Sequence, residues 1–343
     1  MVDLSFALVG FGNVGRSLIC LLQQKRDVLL KQHGIRFKIT GIATGHHGIA
    51  IDPGGFDLDQ VLHTPDINAL SKMPVPSSII EFIQTCPANV LFENSPTNHE
   101  TGQPAIDYLK TALKRGMLGI TANKGPVVYG YQELSALALQ HHSKFMFESA
   151  VMDGAPIFSL FREALPVAEL NGFTGILNSC TNLILERMRN GETLDQAVRF
   201  AQSIGITETD PDADVDGWDA AVKVAALTTV LMNHPMTPYM VDRTGIRGIS
   251  SRMIEEATAA GERWKLVCSA RRSEDTVITT VRPVRVNPTS PMFAINGTSS
   301  YVQFDSDMLP GLGIIESDPG PQTTAYGLLA DLINAVRGKG VIQ

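Results

Sequence analysis

The sequence has no excess of positive charge, no long apolar run and no closely spaced cysteines. Its 343 residues include 28 Lys and Arg against 35 Asp and Glu, which gives a formal net charge of −7. This balance gives no electrostatic reason to expect binding to nucleic acid or to an anionic membrane. No apolar run approaches the roughly 20 residues that a membrane-spanning helix needs. The expected partner is therefore a small molecule, with no nucleic acid and no membrane.

The cysteines are too far apart to indicate a zinc site or a redox-active dithiol. Cys20, Cys86, Cys180 and Cys268 form no Cys-x-x-Cys pair. The first residues lack the basic and apolar regions of a secretion signal. We expect reduced thiols in a cytoplasmic protein.

Short apolar runs alternate with amphipathic stretches over the first 150 residues. This alternation predicts an α/β fold with a Rossmann-type, doubly wound parallel sheet in a nucleotide-binding domain over 1–150. A loop is expected after the second strand, at 45–55. The predicted strands are 4–10, 37–43, 89–92 and 119–121, and the predicted helices include 14–22, 105–115 and 131–142.

After residue 150 helical patterns are mixed with strand-like runs, which predicts a second, α+β domain over 151–320. We expect a C-terminal helix within 321–340 to pack back on the first domain. The predicted helices of the second domain are 156–165, 182–189, 193–204 and 218–232, and its predicted strands include 276–281 and 301–304.

A glycine-rich motif directly follows the first predicted strand. Gly10-Phe11-Gly12-Asn13-Val14-Gly15 matches G-x-G-x-x-G, whose glycines allow a tight turn and a close approach of pyrophosphate to a helix N-terminus. The end of the second strand has no acidic residue for the ribose 2′-OH of NAD and no Arg for a 2′-phosphate. NAD and NADP both remain open there, with NADP slightly favoured by Thr44 and the neighbouring histidines.

Six carboxylates lie within the twelve residues from Glu208 to Asp219. An EF-hand calcium loop starting at Asp212 is excluded, because its twelfth position is Lys223 where a bidentate Glu is needed. The helix that follows is apolar except for Asp219 and Lys223, which share one face at i and i+4. An ordinary salt bridge is one interpretation. On a buried helix, however, desolvation makes such a pair costly, which favours a catalytic role with the lysine as general acid or base.

Three other segments have the polar and small residues of a ligand crevice. Lys124 follows a predicted parallel strand at the end where ligands bind in such sheets, although a surface turn would also explain it. The segments 148–156 and 175–182 place small and polar residues between apolar runs.

Together these motifs resemble homoserine dehydrogenases over essentially the whole chain. Residues 121–126, 175–182 and 210–223 are similar to the family motifs T-A-N-K-x-P, G-I-L-N-G-T-T-N and D-P-x-x-D-x-x-G-x-D-x-x-x-K. The resemblance implies hydride transfer with NAD(P) between L-homoserine and L-aspartate-4-semialdehyde, in threonine and methionine biosynthesis. It also implies a homodimer formed through the second domain, and a short form without a C-terminal regulatory domain.

The resemblance implies roles for individual residues. Lys223 would be the acid/base group, with Lys124 and Asp219 as further catalytic residues. The substrate, a small amino acid, would contact Glu208, Asp219, Asn178, Thr181 and Asp153. The cofactor, NADP or NAD, would contact Gly10, Gly12, Asn13, Val14, Gly15, Thr44, Ser95, Thr97, Lys124 and Gly320. A monovalent cation such as sodium would be held by Glu148, Val151 and Asp153.

The chain departs from the family motifs at two crevice segments. Asp153 stands where the family has glycine or alanine, and Ser179-Cys180 replace Gly-Thr. A dehydrogenase for another small hydroxy amino acid or hydroxy acid is therefore the main alternative. An NAD(P)-sensing protein without activity would need neither lysine nor the acidic segment. An aldehyde dehydrogenase that forms a thioester would need an activated cysteine, and Cys180 has no neighbouring histidine.

Overall fold

Each half of the chain builds a six-stranded sheet of its own. The computed structural model describes residues 1–207 and 211–337. The chain divides into a first unit, Met1–Ile157 together with the segment from Gly320 onward, and a second unit, Phe158–Pro319. The first unit thus extends to residue 157, slightly beyond the domain end predicted at 150.

The first unit has the strand order of a Rossmann fold. In chain order its elements are β1 (Val2–Val9), α1 (Asn13–His33), β2 (Ile35–Ala43), β3 (Ile49–Ile51), α2 (Leu58–His63), α3 (Ile79–Thr85), β4 (Val90–Glu93), α4 (Ala105–Lys114), β5 (Leu118–Thr121), α5 (Lys124–Gln140) and β6 (Phe145–Met146). The sheet order is β3-β2-β1-β4-β5-β6, and all neighbours are parallel except β2 and β3. This arrangement confirms the predicted fold class.

The segment after β2 differs from the expected loop. Residues 49–51 form β3, which pairs antiparallel with β2. The chain can reverse here because Gly48 takes a φ of 95° and Thr44 closes the turn with its backbone N–H and its hydroxyl, both donated to the carbonyl of Gly48. The prediction of a loop at these three residues is therefore wrong.

The second unit is a mostly antiparallel sheet with helices. Its elements are β7 (Leu170–Ile176), α6 (Ser179–Arg189), α7 (Leu194–Ser203), α8 (Asp212–Val215), α9 (Trp218–Leu231), β8 (Asp242–Arg243), α10 (Ser251–Ala259), β9 (Arg263–Ser273), β10 (Thr276–Val286), β11 (Ser300–Ser306) and β12 (Pro310–Glu316). The sheet order is β12-β11-β7-β9-β10-β8, and only β8 and β10 pair in parallel. This confirms an α+β second unit.

Two predicted elements of this unit need correction. The helix expected at 156–165 is reduced to a π-helical segment, Leu160–Ala164. The strand expected at 276–281 continues to Val286, because it pairs along its whole length with β9, which the sequence pattern did not reveal. Short 3₁₀ turns lie at Ile67–Leu70 and Glu148–Ala150 in the first unit, and at Pro238–Met240 and Pro291–Ala294 in the second.

The last helix, α11 (Pro321–Val336), belongs to the core of the first unit. Its buried residues pack in one cluster with side chains of β1 and α1, and those residues are Ala325, Leu328, Leu329, Leu332 and Ala335. Its one buried charged residue, Asp331, accepts a hydrogen bond from the backbone N–H of Glu148 at 2.7 Å. None of the helices in residues 1–207 and 211–337 is long and apolar enough to cross a membrane.

Candidate active site

The glycine motif forms the turn between β1 and α1. A Cβ on Gly10, whose φ is 87°, would lie 2.2 Å from the carbonyl oxygen of Asn94, and a Cβ on Gly15 would lie 2.7 Å from that of Gly10. Gly12 differs, because no atom lies within 4 Å of the place where its Cβ would be. Two glycines are therefore required by the turn itself, while the third leaves space beside the N-terminus of α1, where Asn13 and Val14 follow. Such a space suits a pyrophosphate.

A cavity of about 680 Å³ opens beside this turn. Its lining includes Gly10, Ser95, Thr97 and Tyr108. The volume lies within the range of about 300–1,000 Å³ that is usual for small-molecule sites. The structure thus brings together three of the residues predicted to contact the cofactor, and the space and the open face of Gly12 fit a dinucleotide.

Lys124 lies where the sequence predicts it. It is the first residue of α5, directly after the end of β5, and Asn123 caps the helix by accepting the backbone N–H of Gly125 at 3.0 Å. The carboxyl ends of β1, β4 and β5 lie on the same edge of the parallel sheet. Lys124 is therefore a loop-to-helix residue on the ligand-binding edge of a Rossmann sheet.

Two residues predicted to contact the cofactor make hydrogen bonds within the protein. The Thr44 hydroxyl closes the turn before β3, where it also accepts the backbone N–H of His47 at 2.7 Å. The backbone N–H of Gly320 donates to Asp153 at 2.7 Å, and the carbonyl of Gly320 accepts from the hydroxyls of Thr323 and Thr324. Both backbone groups of Gly320 are thus engaged in the turn before α11, and its contact with the cofactor stays a prediction.

Asp153 anchors the start of α11. One carboxylate oxygen accepts from the N–H of Gly320 and the hydroxyl of Thr323, and the other accepts from the hydroxyl of Thr324 at 3.0 Å. Its φ of 40° is a left-handed conformation, which Asp tolerates better than most residues. Both carboxylate oxygens thus have a structural role within the first unit, and the contact of Asp153 with the substrate stays a prediction.

The segment predicted to hold a cation is buried. Glu148 and Val151 are each 3% exposed, and Glu148 is tied to α11 through its backbone N–H. Within the described parts of the chain, no three His, Cys, Asp or Glu side chains are grouped as metal ligands. A cation here would therefore depend on backbone carbonyl oxygens.

In the second unit, Lys223 and Asp219 form the predicted ion pair on α9. The Lys223 Nζ lies 3.1 Å from Asp219 Oδ2 and donates to the carbonyl oxygen of Leu177 at 2.6 Å. The two side chains are only 13% and 14% exposed. A pair this far from water is tolerated only when further hydrogen bonds satisfy both groups, and Leu177 supplies one of them.

Asn178 organises the carboxylates around this pair. Its Nδ2 donates to Asp219 at 3.0 Å and to Asp214 at 2.7 Å, while its Oδ1 accepts the backbone N–H and the hydroxyl of Thr181. Asn178 and Thr181 are buried, and all the polar groups of the Asn178 amide are used. Asn178 thus supports Asp214 and Asp219, Thr181 supports Asn178, and the contact of both residues with the substrate stays a prediction.

The acidic segment divides into two groups. Asp212 and Asp216 form ion pairs with Arg247, at 2.6 and 2.8 Å, so these two carboxylates share one guanidinium near the surface. Asp214 points the other way, accepting from Asn178 and from the Thr207 hydroxyl at 2.6 Å. The sequence analysis did not predict Asp214 as a site residue, although it lies two positions from both Asp212 and Asp216, which Arg247 binds. Residues two positions apart in a helix do not face the same side, so this spacing could have separated Asp214 from the other two. Glu208 lies outside the described residues.

Cys180 is unsuited to nucleophilic chemistry. It is 2% exposed, and burial, followed by the negative charge of Asp214, raises the pKa of its thiol far above the usual range. A nucleophilic cysteine needs a lowered pKa. The thiol is buried in the first turn of α6, within the electrostatic influence of Asp214.

A Rossmann unit with a cavity of the size of a small-molecule site, and a second unit with a largely shielded lysine paired with a carboxylate, define an NAD(P)-dependent oxidoreductase that acts on a CH–OH group. The sequence profile of the family described as homoserine dehydrogenase matches residues 156–333. The chain belongs to the homoserine dehydrogenase family.

Several relatives support this membership. The chain is 33% identical to an NAD(+)-dependent homoserine dehydrogenase of Pseudomonas canavaninivorans, over 97% of this chain and 96% of the relative. A crystal structure from Archaeoglobus fulgidus, provisionally assigned to homoserine dehydrogenase, superposes with a TM-score of 0.86 at 28% identity, covering 96% of this chain and 98% of the other. A hyperthermophilic archaeal homoserine dehydrogenase mutant in complex with NADPH gives 0.82 at 27% identity, covering 98% of both chains.

The thiols give a first test of the site. Burial raises the pKa of Cys86 to about 11 and that of Cys268 to about 12, and Cys180 is shifted in the same direction, whereas Cys20 is exposed. At pH 8 a thiol with a pKa of 11 is only about 0.1% thiolate. We expect Ellman's reagent to modify one thiol per native chain and four per chain in denaturant. Rapid modification of the native Cys20→Ser variant would contradict the protection of the three buried thiols.

Proposed function

We propose that the chain interconverts L-homoserine and L-aspartate-4-semialdehyde, with Lys223 as the acid/base group. When it is bound, NAD(P) supplies the nicotinamide ring that accepts or donates the hydride. The observation that carries the proposal is the largely shielded pair of Lys223 and Asp219, 13% and 14% exposed, on an otherwise apolar helix. An ion pair with no task beyond stability is poorly placed there, because two well-packed apolar residues would serve as well or better.

Lys223 is proposed to move the proton of the substrate oxygen. In alcohol oxidation, its neutral amine would accept the hydroxyl proton as hydride leaves the carbon. In the reverse direction, its ammonium form would donate that proton to the oxygen that gains negative charge. The Leu177 carbonyl and the Asp219 carboxylate hold the Nζ from the protein side, which orients the lysine for this transfer.

The carboxylates around α9 are proposed to receive the α-ammonium group of the substrate. Asp214 and Asp219 are held side by side by the single amide of Asn178. Two carboxylates beside one lysine leave a surplus of negative charge, which suits a cationic group. Asp219 would then contribute both to the lysine and to the substrate, and we assign Glu208 to the same task.

The first unit is proposed as the cofactor domain and the second as the substrate domain. Ser95, Thr97 and Lys124 would contact the dinucleotide together with the glycine turn at Gly10 and Gly12. The end of β2 carries no carboxylate that would repel a 2′-phosphate. Because the relatives include one described as NAD(+)-dependent and one in complex with NADPH, we propose that NADP is used at least as well as NAD.

A substrate panel tests the proposed reaction. Purified protein should reduce NADP⁺ or NAD⁺ with L-homoserine, followed by absorbance at the reduced nicotinamide band, and should be much slower with L-serine, L-threonine or 4-hydroxybutyrate. The last compound lacks the α-ammonium group, so it separates the amino acid from a plain hydroxy acid. A higher kcat/KM for 4-hydroxybutyrate than for homoserine would favour the hydroxy-acid alternative. A folded protein with no turnover would contradict the proposal.

Removal of the lysine should stop the chemistry without removing the cofactor. We expect Lys223→Ala to lower kcat by about 10²–10⁴-fold, the usual contribution of a general acid or base. The Kd for NADPH, measured by fluorescence titration, should change by less than about twofold. Arg252→Ala is the matched control, because it breaks an exposed i, i+4 ion pair in the same unit and should leave kcat unchanged. Loss of NADPH binding in Lys223→Ala would show that the lysine serves the cofactor.

We further propose a homodimer, and we infer a cytoplasmic location from the four unpaired, scattered cysteines. Ile278 and Val284 lie six positions apart on β10, and because side chains alternate along a strand they share one face of the second sheet. On that face they are 56% and 40% exposed. Ile315 of β12 is on the same face by strand register and is 61% exposed.

A monovalent cation such as sodium is proposed at the backbone of Glu148, Val151 and Asp153.

The dimer proposal predicts a change of mass when this sheet face is charged. The wild-type protein should elute with the light-scattering mass of two chains, and Ile278→Asp combined with Val284→Asp should give one chain, because buried, unpaired carboxylates oppose association. Ile204→Asp, at an exposed position after α7, is the control and should remain dimeric. A wild-type monomer, or a dimer that persists in the double variant, would overturn the assignment of this face.

A further inference from the structure

A fully buried carboxylate lies two residues from the lining of the proposed cofactor cavity, and the proposed hydride and proton transfers do not use it. Glu93 is the last residue of β4 and is 0% exposed. It is followed after one residue by Ser95, which lines the cavity. Tyr108, on the same lining, has its pKa raised by burial and then by the charge of Glu93. A group of this kind needs an explanation, because burying a carboxylate is costly.

Three donors converge on the two oxygens of Glu93. One oxygen accepts the backbone N–H of Ser95 at 2.8 Å and also the Ser95 hydroxyl. The other accepts the hydroxyl of Thr121 at 2.7 Å. Burial raises the pKa of Glu93 above its ordinary value, and these hydrogen bonds offset only part of that rise. All three contacts are donated to Glu93, which is the pattern that an ionised carboxylate requires, since it can only accept hydrogen bonds.

The same contacts join two neighbouring loops at the edge of the sheet. The Thr121 hydroxyl accepts the backbone N–H of Asn123 at 2.9 Å, so its own hydrogen is free to point at Glu93. Asn123 donates in turn to the carbonyl of Ser95 at 3.3 Å and caps α5. Glu93 thereby connects the loop of Ser95 with the segment that leads into Lys124.

The hydrogen bond from Ser95 also fixes the direction of its hydroxyl. A serine hydroxyl has one hydrogen and two acceptor lone pairs. When the hydrogen is committed to Glu93, the oxygen can only accept from a ligand in the cavity. It would therefore match a ribose hydroxyl or a carboxamide N–H of the dinucleotide, and it would oppose a phosphate oxygen, which needs a donor.

We propose that Glu93 is a positioning residue for cofactor binding, which acts by turning the Ser95 hydroxyl into an acceptor for a hydroxyl or amide N–H group of the dinucleotide. The proposal rests on the assignment of Ser95 to the cofactor under the proposed function. It concerns the binding step, so it is separate from the identity of the alcohol substrate.

A double-mutant cycle on cofactor binding tests the proposal. Kd values for NADPH and NADH are measured by fluorescence titration, without substrate, in wild type, Glu93→Gln, Ser95→Ala and the double variant. We expect Glu93→Gln and Ser95→Ala each to weaken binding about tenfold, the effect of losing one hydrogen bond of moderate strength. In the Ser95→Ala background, Glu93→Gln should weaken binding less than about twofold, because its target is gone.

Two further measurements separate positioning from general damage to the fold. In steady-state turnover, Glu93→Gln should raise KM for the cofactor while kcat at saturating cofactor stays within about twofold, since the bound state is restored by mass action. Asp52→Asn is the matched control: Asp52 is also a buried carboxylate of the first unit, paired with Lys72 at 2.7 Å, and its loss should leave the Kd unchanged.

The outcomes are distinct. Equal weakening by Glu93→Gln in both backgrounds would overturn the proposal, because Glu93 would then act independently of Ser95. If Glu93→Gln does not fold, Ser95→Ala alone decides, since an unchanged Kd in that cavity-lining variant removes the contact on which the proposal depends. A wild type that binds NADPH but does not oxidise homoserine would contradict the proposed function only.

Discussion

The rest of the second unit is arranged around the cost of keeping Lys223 and Asp219 away from water. Two opposite charges at 13% and 14% exposure need hydrogen bonds beyond the one they share. The Leu177 carbonyl at the end of β7 and the Asn178 amide at the start of α6 supply them. This requirement explains why α9 must lie against the β7–α6 corner, and why Asn178 and Thr181 are buried supports.

Asp153 and Cys180, which depart from the family motifs, make their contacts within their own units. Asp153, which stands where the resemblance implies glycine or alanine, takes a left-handed conformation, and its carboxylate holds the first turn of α11. Cys180 is buried in α6, within the electrostatic influence of Asp214. The described contacts of both residues therefore lie within one unit each.

Motifs with a strict backbone requirement were predictable from the sequence. The G-x-G-x-x-G turn, Lys124 after β5 and the i, i+4 pair on α9 are where local spacing predicts them. Contacts between distant segments were not. The burial of Glu93, the bridge from Arg247 to Asp212 and Asp216, and the use of Gly320 by Asp153 join residues far apart in the chain. Strand β3 was missed because three residues are too short to show periodicity.

The central claim is that Lys223 exchanges a proton with the oxygen of the substrate. A crystal structure of the protein with NADP⁺ and L-homoserine tests it most directly. The account predicts that the Lys223 Nζ lies at about 2.6–3.2 Å from the substrate hydroxyl oxygen, the reach of a general base, with the α-ammonium group against Asp214 or Asp219. A homoserine hydroxyl bound by another side chain, with Lys223 still bonded only to Asp219 and Leu177, would contradict it.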